Sequence, residues 1–235
     1  MRLLAVDAAT TTCAVALLSE RGMVERDAGS VKAHAEQLLA MVAEVLAESA
    51  VPLASGDAIG ASIGPGAFTG VRVSVAVAQG LAFGAGLRVI PVCTLEALAL
   101  QALSVPAPGA PTLAIAVLDA RMQEVYWACY AADAVHGVTA TSAPRVSPPE
   151  AVTPPPGRYA GIGRGFGAYP RLALLPGVEL PPEANAAPPR AREFARLGAL
   201  RLARGETLDP ADLQPLYLRD KVAATEAERA AAAKR

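Results

Sequence analysis

The chain has 235 residues, 53% hydrophobic but only 4% aromatic, with 21 basic and 22 acidic side chains and a formal net charge of −1. That length supports one large domain or two lobes of roughly 100 residues each, with a core of Ala, Val and Leu in which backbones approach closely. The near-zero charge excludes the global positive field of a stand-alone nucleic-acid binder, so a role on RNA would need a partner.

The opening thirty residues read as a meander of strands at 2–8, 13–19 and 22–28. Leu38, Leu39, Val42, Val45 and Leu46 then recur at helical spacing, opposite Glu36, Glu44 and Glu48. A strand at 57–64 leads into a glycine-rich loop and a helix over about 71–83. A strand at 87–92 and a helix at 94–103 follow, with Thr94 as the expected N-cap. The Pro/Gly-rich hinge at 104–111 predicts a lobe boundary, which divides the chain into 1–105, 106–218 and a charged tail at 219–235. The second lobe opens like the first, with a hairpin of strands 112–120 and 124–132 joined by Arg121-Met122-Gln123 and a further strand at 137–141. Residues 142–156 are proline-dense and predict an irregular loop with one helical turn. A strand at 158–163 and an amphipathic helix at 190–205 complete the pattern. The three cysteines, Cys13, Cys93 and Cys129, form no CxxC. No signal peptide is read at the N-terminus, where Asp7 and a threonine cluster break the apolar run. Arg72, Ser74 and Gln79 interrupt the most apolar long stretch, so no membrane span is expected there. Together these features predict a reduced, cytoplasmic protein.

The stretch from Ala61 to Gly86 admits three readings. As a phosphate cradle, Gly64, Gly66 and Gly70 miss the dinucleotide fingerprint by one residue, and no lysine completes a Walker loop. A glycine turn entering a helix N-terminus, with Asp7, Thr10 and Thr69 nearby, still allows weak anion binding. As a nucleophile turn, Gly60-Ala61-Ser62-Ile63-Gly64 fits G-x-S-x-G, which makes a hydrolase using Ser62 the alternative function. The helix expected there starts late, however, and of the two histidines, His34 and His136, only His136 follows Ser62, with no residue pattern around it that suggests a base. As a packing surface, Ala76, Gly80 and Gly84 recur every four residues, with Ser74, Ala78 and Ala82 on the next ridge. A helix glycine costs about 1 kcal/mol, which implies a close-packing return from the protein's own sheet or from another chain. The strand-end carboxylates Asp7 and Asp119 are a weak acid–base pair, because such aspartates commonly cap turns. Neither histidine has neighbours at metal-ligand spacing.

The segments LLAVDAATTTCAVAL, HAEQLLAMV, GPGAFTGVRVSVAVAQGLAFG and IPVCTLEALA, with YLR near the end, resemble the TsaB (YeaZ) family of bacterial tRNA-modification proteins. The resemblance covers the first hundred residues closely and the rest loosely. It implies an α/β actin-like, Hsp70-like ATPase (ASKHA, ribonuclease H-like) fold of two related lobes. It also implies a non-catalytic partner of a TsaD-type threonylcarbamoyl transferase, assembled with a TsaE-type ATPase. On that reading the chain has no catalytic, metal or cofactor site of its own: ATP and metal belong to the partners, tRNA is met only through the complex, and no membrane is involved. Thr94 and Leu98 stand where the catalytic relatives carry a metal-binding histidine pair. The family's partner seam maps to His34, Leu38, Val42 and Val45 on the first helix. On the second it maps to Ala76, Gly80 and Gly84 or to the other face at Val73, Val77 and Leu81. The same apolar surface predicts a homodimer when the protein is alone.

Overall fold

The computed structural model describes residues 1–29, 34–104 and 108–219, with His34 described through its backbone alone. Strands β1 (Leu3–Asp7), β2 (Cys13–Ser19) and β3 (Gly22–Ala28) form an antiparallel meander. Helix α1 (His34–Ser49) carries the chain back to β4 (Ala58–Ser62), and α2 (Phe68–Ala85) carries it to β5 (Arg88–Val92); both strands run parallel to β1. The sheet order is β3-β2-β1-β4-β5. The placement follows from the sequence, since β1 and β4 are apolar up to their last residues, Asp7 and Ser62, and are buried at every position, as central strands must be.

Helix α3 (Thr94–Leu103) leads to a second sheet of β6 (Leu113–Arg121), β7 (Glu124–Asp133), β8 (Gly137–Ala140), β9 (Arg145–Ser147), β10 (Tyr159–Ile162) and β11 (Val178–Glu179). Its order, read from the other edge, is β8-β7-β6-β10-β11, with β9 also on β7. The pairings repeat the first sheet: β6 is antiparallel to β7 and β7 to β8, whereas β6, β10 and β11 run parallel. This is the two-lobed, ribonuclease H-like arrangement.

Three apolar layers hold the lobes. Leu4, Val6, Val15 and Ile59 face α1 and α2, which contribute Leu38, Val42, Val45, Val75 and Ala78. Leu3 and Ala5, from the alternate positions of β1, face a middle layer in which α3 and α5 (Ala191–Ala203) lie between the two sheets. Alanines crowd that layer, so helix and sheet approach closely; a Cβ added to Gly198 of α5 would come within 3.1 Å of Leu3. The outer layer of the second lobe is small, with Trp127, Tyr159, Phe166 and Leu172 beneath the short α4 (Arg164–Ala168) and irregular turns.

Two expectations are corrected here. The division at 105/106 falls in residues outside those described, and the C-terminal lobe is not continuous to 218. Helix α5 packs on β1, β2, β4 and β5 of the first sheet, because its Phe194 and Leu197 complete the middle layer rather than the second lobe. Thr94 is not an N-cap: Cys93 holds the cap position, and the buried Thr94 Oγ1 makes no hydrogen bond within the described residues. The charged tail beyond Arg219 lies outside the described residues.

Candidate functional site

The glycine loop is shaped by its own neighbours. A Cβ added to Gly66 would lie 2.0 Å from the Ala9 carbonyl oxygen, and one added to Gly70 would lie 2.0 Å from that of Ala8. Only glycine permits the loop to seat on the β1–β2 connection. Three amides of this region are engaged inside the protein. Ala8 N–H donates to Ser74 Oγ at 2.6 Å, Ala9 N–H to Asp7 Oδ1 at 2.9 Å, and Ala67 N–H to the Ala9 carbonyl at 2.7 Å. Asp7, Gly64 and Gly70 are buried and Gly66 meets a carbonyl; Thr10 lines the neighbouring cleft, and Thr69 is exposed on the first turn of α2. Burial beside the Asp7 carboxylate pushes the Cys13 thiol up to about 11, so the thiolate nucleophile is suppressed at neutral pH.

Between the lobes lies a cleft of about 430 Å³ whose walls are largely apolar, including Pro65, Phe68, Leu118, Tyr126 and Leu216. Arg164 spans it, donating from Nη1 to Thr11 Oγ1 at 2.5 Å. On the opposite wall Asp119 caps its own turn by accepting from Arg121 N–H at 2.8 Å and pairs with the Arg121 guanidinium at 3.0 Å. Asp7 and Asp119 thus share one role at equivalent strand ends, that of a turn cap. Among the described residues no group of three His, Cys, Asp or Glu side chains converges.

The second feature is the outer surface of α2. Gly70, Val71, Ser74, Val75, Ala78 and Ala82 are buried against the sheet, while Val73, Val77 and Leu81 are half-buried in the first lobe's core. Thr69, Arg72, Ala76, Gly80, Phe83 and Gly84 face outward, with Phe83 85% exposed. A Cβ added to Gly80 or Gly84 would meet nothing within 4 Å. These glycines return no packing within the described residues. By length and composition α2 is apolar enough to cross a membrane; Arg72 and Gln79 lie within it, and Gln79 Nε2 donates to the Pro210 and Leu213 carbonyls. Its buried positions make it the crossover helix of a sheet. On α1 the seam expected at Leu38, Val42 and Val45 is corrected: they are 0%, 3% and 0% exposed and belong to the lobe's own core. The neighbouring Leu39 is the exposed one, at 47%. The side chain of His34 lies outside the described residues.

Comparison with known proteins gives concordant matches. The family model for TsaD, tRNA N6-adenosine threonylcarbamoyltransferase, matches residues 17–145. The tRNA threonylcarbamoyladenosine biosynthesis protein TsaB of Escherichia coli strain K12 is 34% identical over 227 residues, spanning 95% of this chain and 96% of that protein. Its Haemophilus influenzae counterpart is 32% identical over 233 residues, 94% of this chain and 95% of that protein. The solved structure of YeaZ from Pseudomonas aeruginosa superposes with a TM-score of 0.84 at 36% identity, covering 92% of this chain and 99% of that one. The chain belongs to the TsaB (YeaZ) family. The ASKHA-type α/β fold of two related lobes is shared with it.

For this TsaB-family chain the nucleophile reading of Ser62 is overturned by geometry. Ser62 is 0% exposed, and its hydroxyl donates to Ser74 Oγ at 3.0 Å, so it links β4 to α2 and to Ala8 N–H in one buried chain. His136 stands on the β7–β8 turn of the other lobe, with Nδ1 3.2 Å from Asp133 Oδ1. Sequence reading missed one cluster at the cleft mouth. Arg72 stacks on Phe68 at 3.6 Å from the ring centroid, and its Nε donates to Tyr217 Oη at 2.9 Å. Phe68 and Tyr217 are about half exposed. Helical spacing links Phe68 to Arg72, whereas the sequence marks Tyr217, 145 residues from Arg72, only as part of the YLR segment and gives it no partner.

Proposed function

We propose that this protein takes part in forming threonylcarbamoyladenosine in tRNA as a non-catalytic partner of a TsaD-type transferase, docking through the outward face of α2. The observation that carries the reading is the open pair Gly80 and Gly84. Each is disfavoured by about 1 kcal/mol relative to alanine inside a helix, and neither is used by the described residues for packing. A second helix laid along Ala76, Gly80 and Gly84 would approach at backbone distance and supply the missing return. The functional class is supported by the two relatives, both described as tRNA threonylcarbamoyladenosine biosynthesis proteins. The transferase as partner is suggested by the match to its family model, since related chains commonly pair through equivalent surfaces.

On this reading the reacting groups, ATP and metal reside on the transferase and on a TsaE-type ATPase, in the cytoplasm where tRNA is modified. The buried Ser62 and the inward-turned amides of Ala8, Ala9 and Ala67 fit a chain that supports catalysis without performing it. Alone, the exposed α2 face self-associates, so a homodimer is expected in sedimentation at micromolar concentration, and a monomer there contradicts it. The decisive experiment is reconstitution of modified tRNA from the transferase, the ATPase and the threonylcarbamoyl-adenylate donor, with and without this protein. Product only in its presence supports the proposal; equal product in its absence overturns it.

A further inference from the structure

We infer that Leu213–Arg219 is a strap tying the two lobes across the mouth of the cleft, and that it holds the tip of the β6–β7 hairpin in a strained turn. At that tip Arg121, Met122 and Gln123 have φ of 59°, 53° and 61°, three successive non-glycine residues in the left-handed region. Side chains disfavour this conformation, and it persists only where surrounding contacts over-determine it.

The contacts come from two sources. One is local, the Asp119 cap on Arg121 N–H. The other arrives from a distant part of the chain. Arg219 Nη2 donates to the Ala120 carbonyl at 3.1 Å and to Glu124 Oε2 at 2.5 Å, and its Nη1 lies 3.6 Å from Met122 Sδ. One guanidinium thus grips the residue before the strained triplet, one inside it and the one after it. The Arg219 side chain is only 16% exposed, so this pair is screened less than an ordinary surface ion pair.

The other end of the segment is fixed to the first lobe. Leu208 exchanges two backbone hydrogen bonds with Val89 on the edge strand β5. Gln79 of α2 holds the carbonyls of Pro210 and Leu213, and Leu213 is fully buried in the first lobe's core. Leu216 N–H donates to the Ile63 carbonyl at 2.7 Å. Tyr217 takes the Arg72 hydrogen bond, two residues before Arg219 reaches the second lobe. A stretch with no regular structure of its own is therefore anchored at positions 213, 216, 217 and 219. Both the strap and the hairpin tip line the cleft, so the strap sets the shape of one cleft wall.

Limited trypsin digestion of the full-length protein tests this without any partner, so its outcome is independent of the docking proposal. Cleavage after Arg121 requires the turn to open into an extended segment, and its rate tracks the open population. Arg219→Ala should raise formation of the 1–121 fragment about tenfold, the effect of losing a charge-assisted contact. Arg219→Lys, which keeps the charge but loses the fork, should fall between this variant and wild type. Tyr217→Ala, which touches only the first-lobe end, should raise it about threefold by slackening the strap. Fluorescence of the single Trp127 and the thermal midpoint report whether each variant keeps its fold. Should Arg219→Ala not fold, Glu124→Gln loosens the same grip from the hairpin side and should also accelerate cleavage. Unchanged cleavage after Arg121 in the folded position-219 variant, or in Glu124→Gln, overturns the inference. So does acceleration by Arg219→Ala with none by Tyr217→Ala, because the contact would then be a local clamp and not a strap.

Discussion

The two lobes share a strand order and pairing pattern but differ in what covers their outer faces. The first sheet carries two long helices, α1 and α2, whereas the second is covered by the five-residue α4, short turns and proline-rich connections. A duplicated topology therefore does not imply a duplicated surface. Among the described residues the first lobe alone carries long helices on its outer face, and within one of them Gly80 and Gly84 stand open. The same contrast exists within that lobe on a finer scale: Gly66 and Gly70 are fixed by the chain's own backbone, and Gly80 and Gly84 by nothing within the described residues.

One substitution made at both pairs should act with opposite sign. Gly66→Ala or Gly70→Ala drives a methyl into a backbone carbonyl and should cost roughly 3 kcal/mol or more in denaturant unfolding, or abolish folding. Gly80→Ala and Gly84→Ala should stabilise the monomeric chain, measured at a dilution where it does not self-associate, by up to ~1 kcal/mol. Loss of stability at both pairs would erase the distinction.

Smaller effects sharpen the account of the interior. Ser62→Ala removes one buried hydrogen bond and should cost about 1 kcal/mol, leaving tRNA modification in the reconstituted system intact. A loss of modification with retained fold would restore a chemical role for this hydroxyl.

Smaller still is Glu193, buried on α5, with the half-exposed Arg196 paired to it and Arg192 and Arg190 acting on it at longer range. Desolvation raises its pKa, and Arg196, Arg192 and Arg190 offset this in part. The folded protein thus binds the proton more tightly than the unfolded chain. The resulting stability is full below the unfolded value of about 4.3 and is lost as pH rises through the folded one. At neutral pH Glu193→Gln should accordingly raise the melting temperature by about 2 °C, with the difference vanishing near pH 4. A variant that melts lower at pH 7 would show that the Arg196 pair outweighs desolvation.

Much of the fold was legible because its signals are periodic. The β1–β3 meander, α3 at 94–103 and the Arg121-Met122-Gln123 hairpin lie within a residue or so of expectation. The strand β9, the short α4 and β11 were not, because proline-rich stretches carry no periodicity and these elements are three, five and two residues long. Helix α5 was found as a helix yet assigned to the wrong lobe, since amphipathicity states that a face is buried and not against what. The candidate site divided the same way. The every-fourth-residue pattern located the α2 stripe, but two such stripes exist and only the sheet decides which is inside. On α1 the resemblance alone carried Leu38, Val42 and Val45 to the seam, whereas their helical spacing marks the face that the lobe's own core covers. Tyr217 depends on a contact across the fold that no local pattern encodes.

Affinity for a TsaD-type transferase, measured by calorimetry with wild type, Gly80→Leu and Gly84→Leu, tests the docking face most directly. If α2's outward stripe is the seam, both leucine variants stay folded and lose at least about a hundredfold in affinity, roughly 2.7 kcal/mol. Wild-type affinity in either folded variant would show that the partner docks elsewhere.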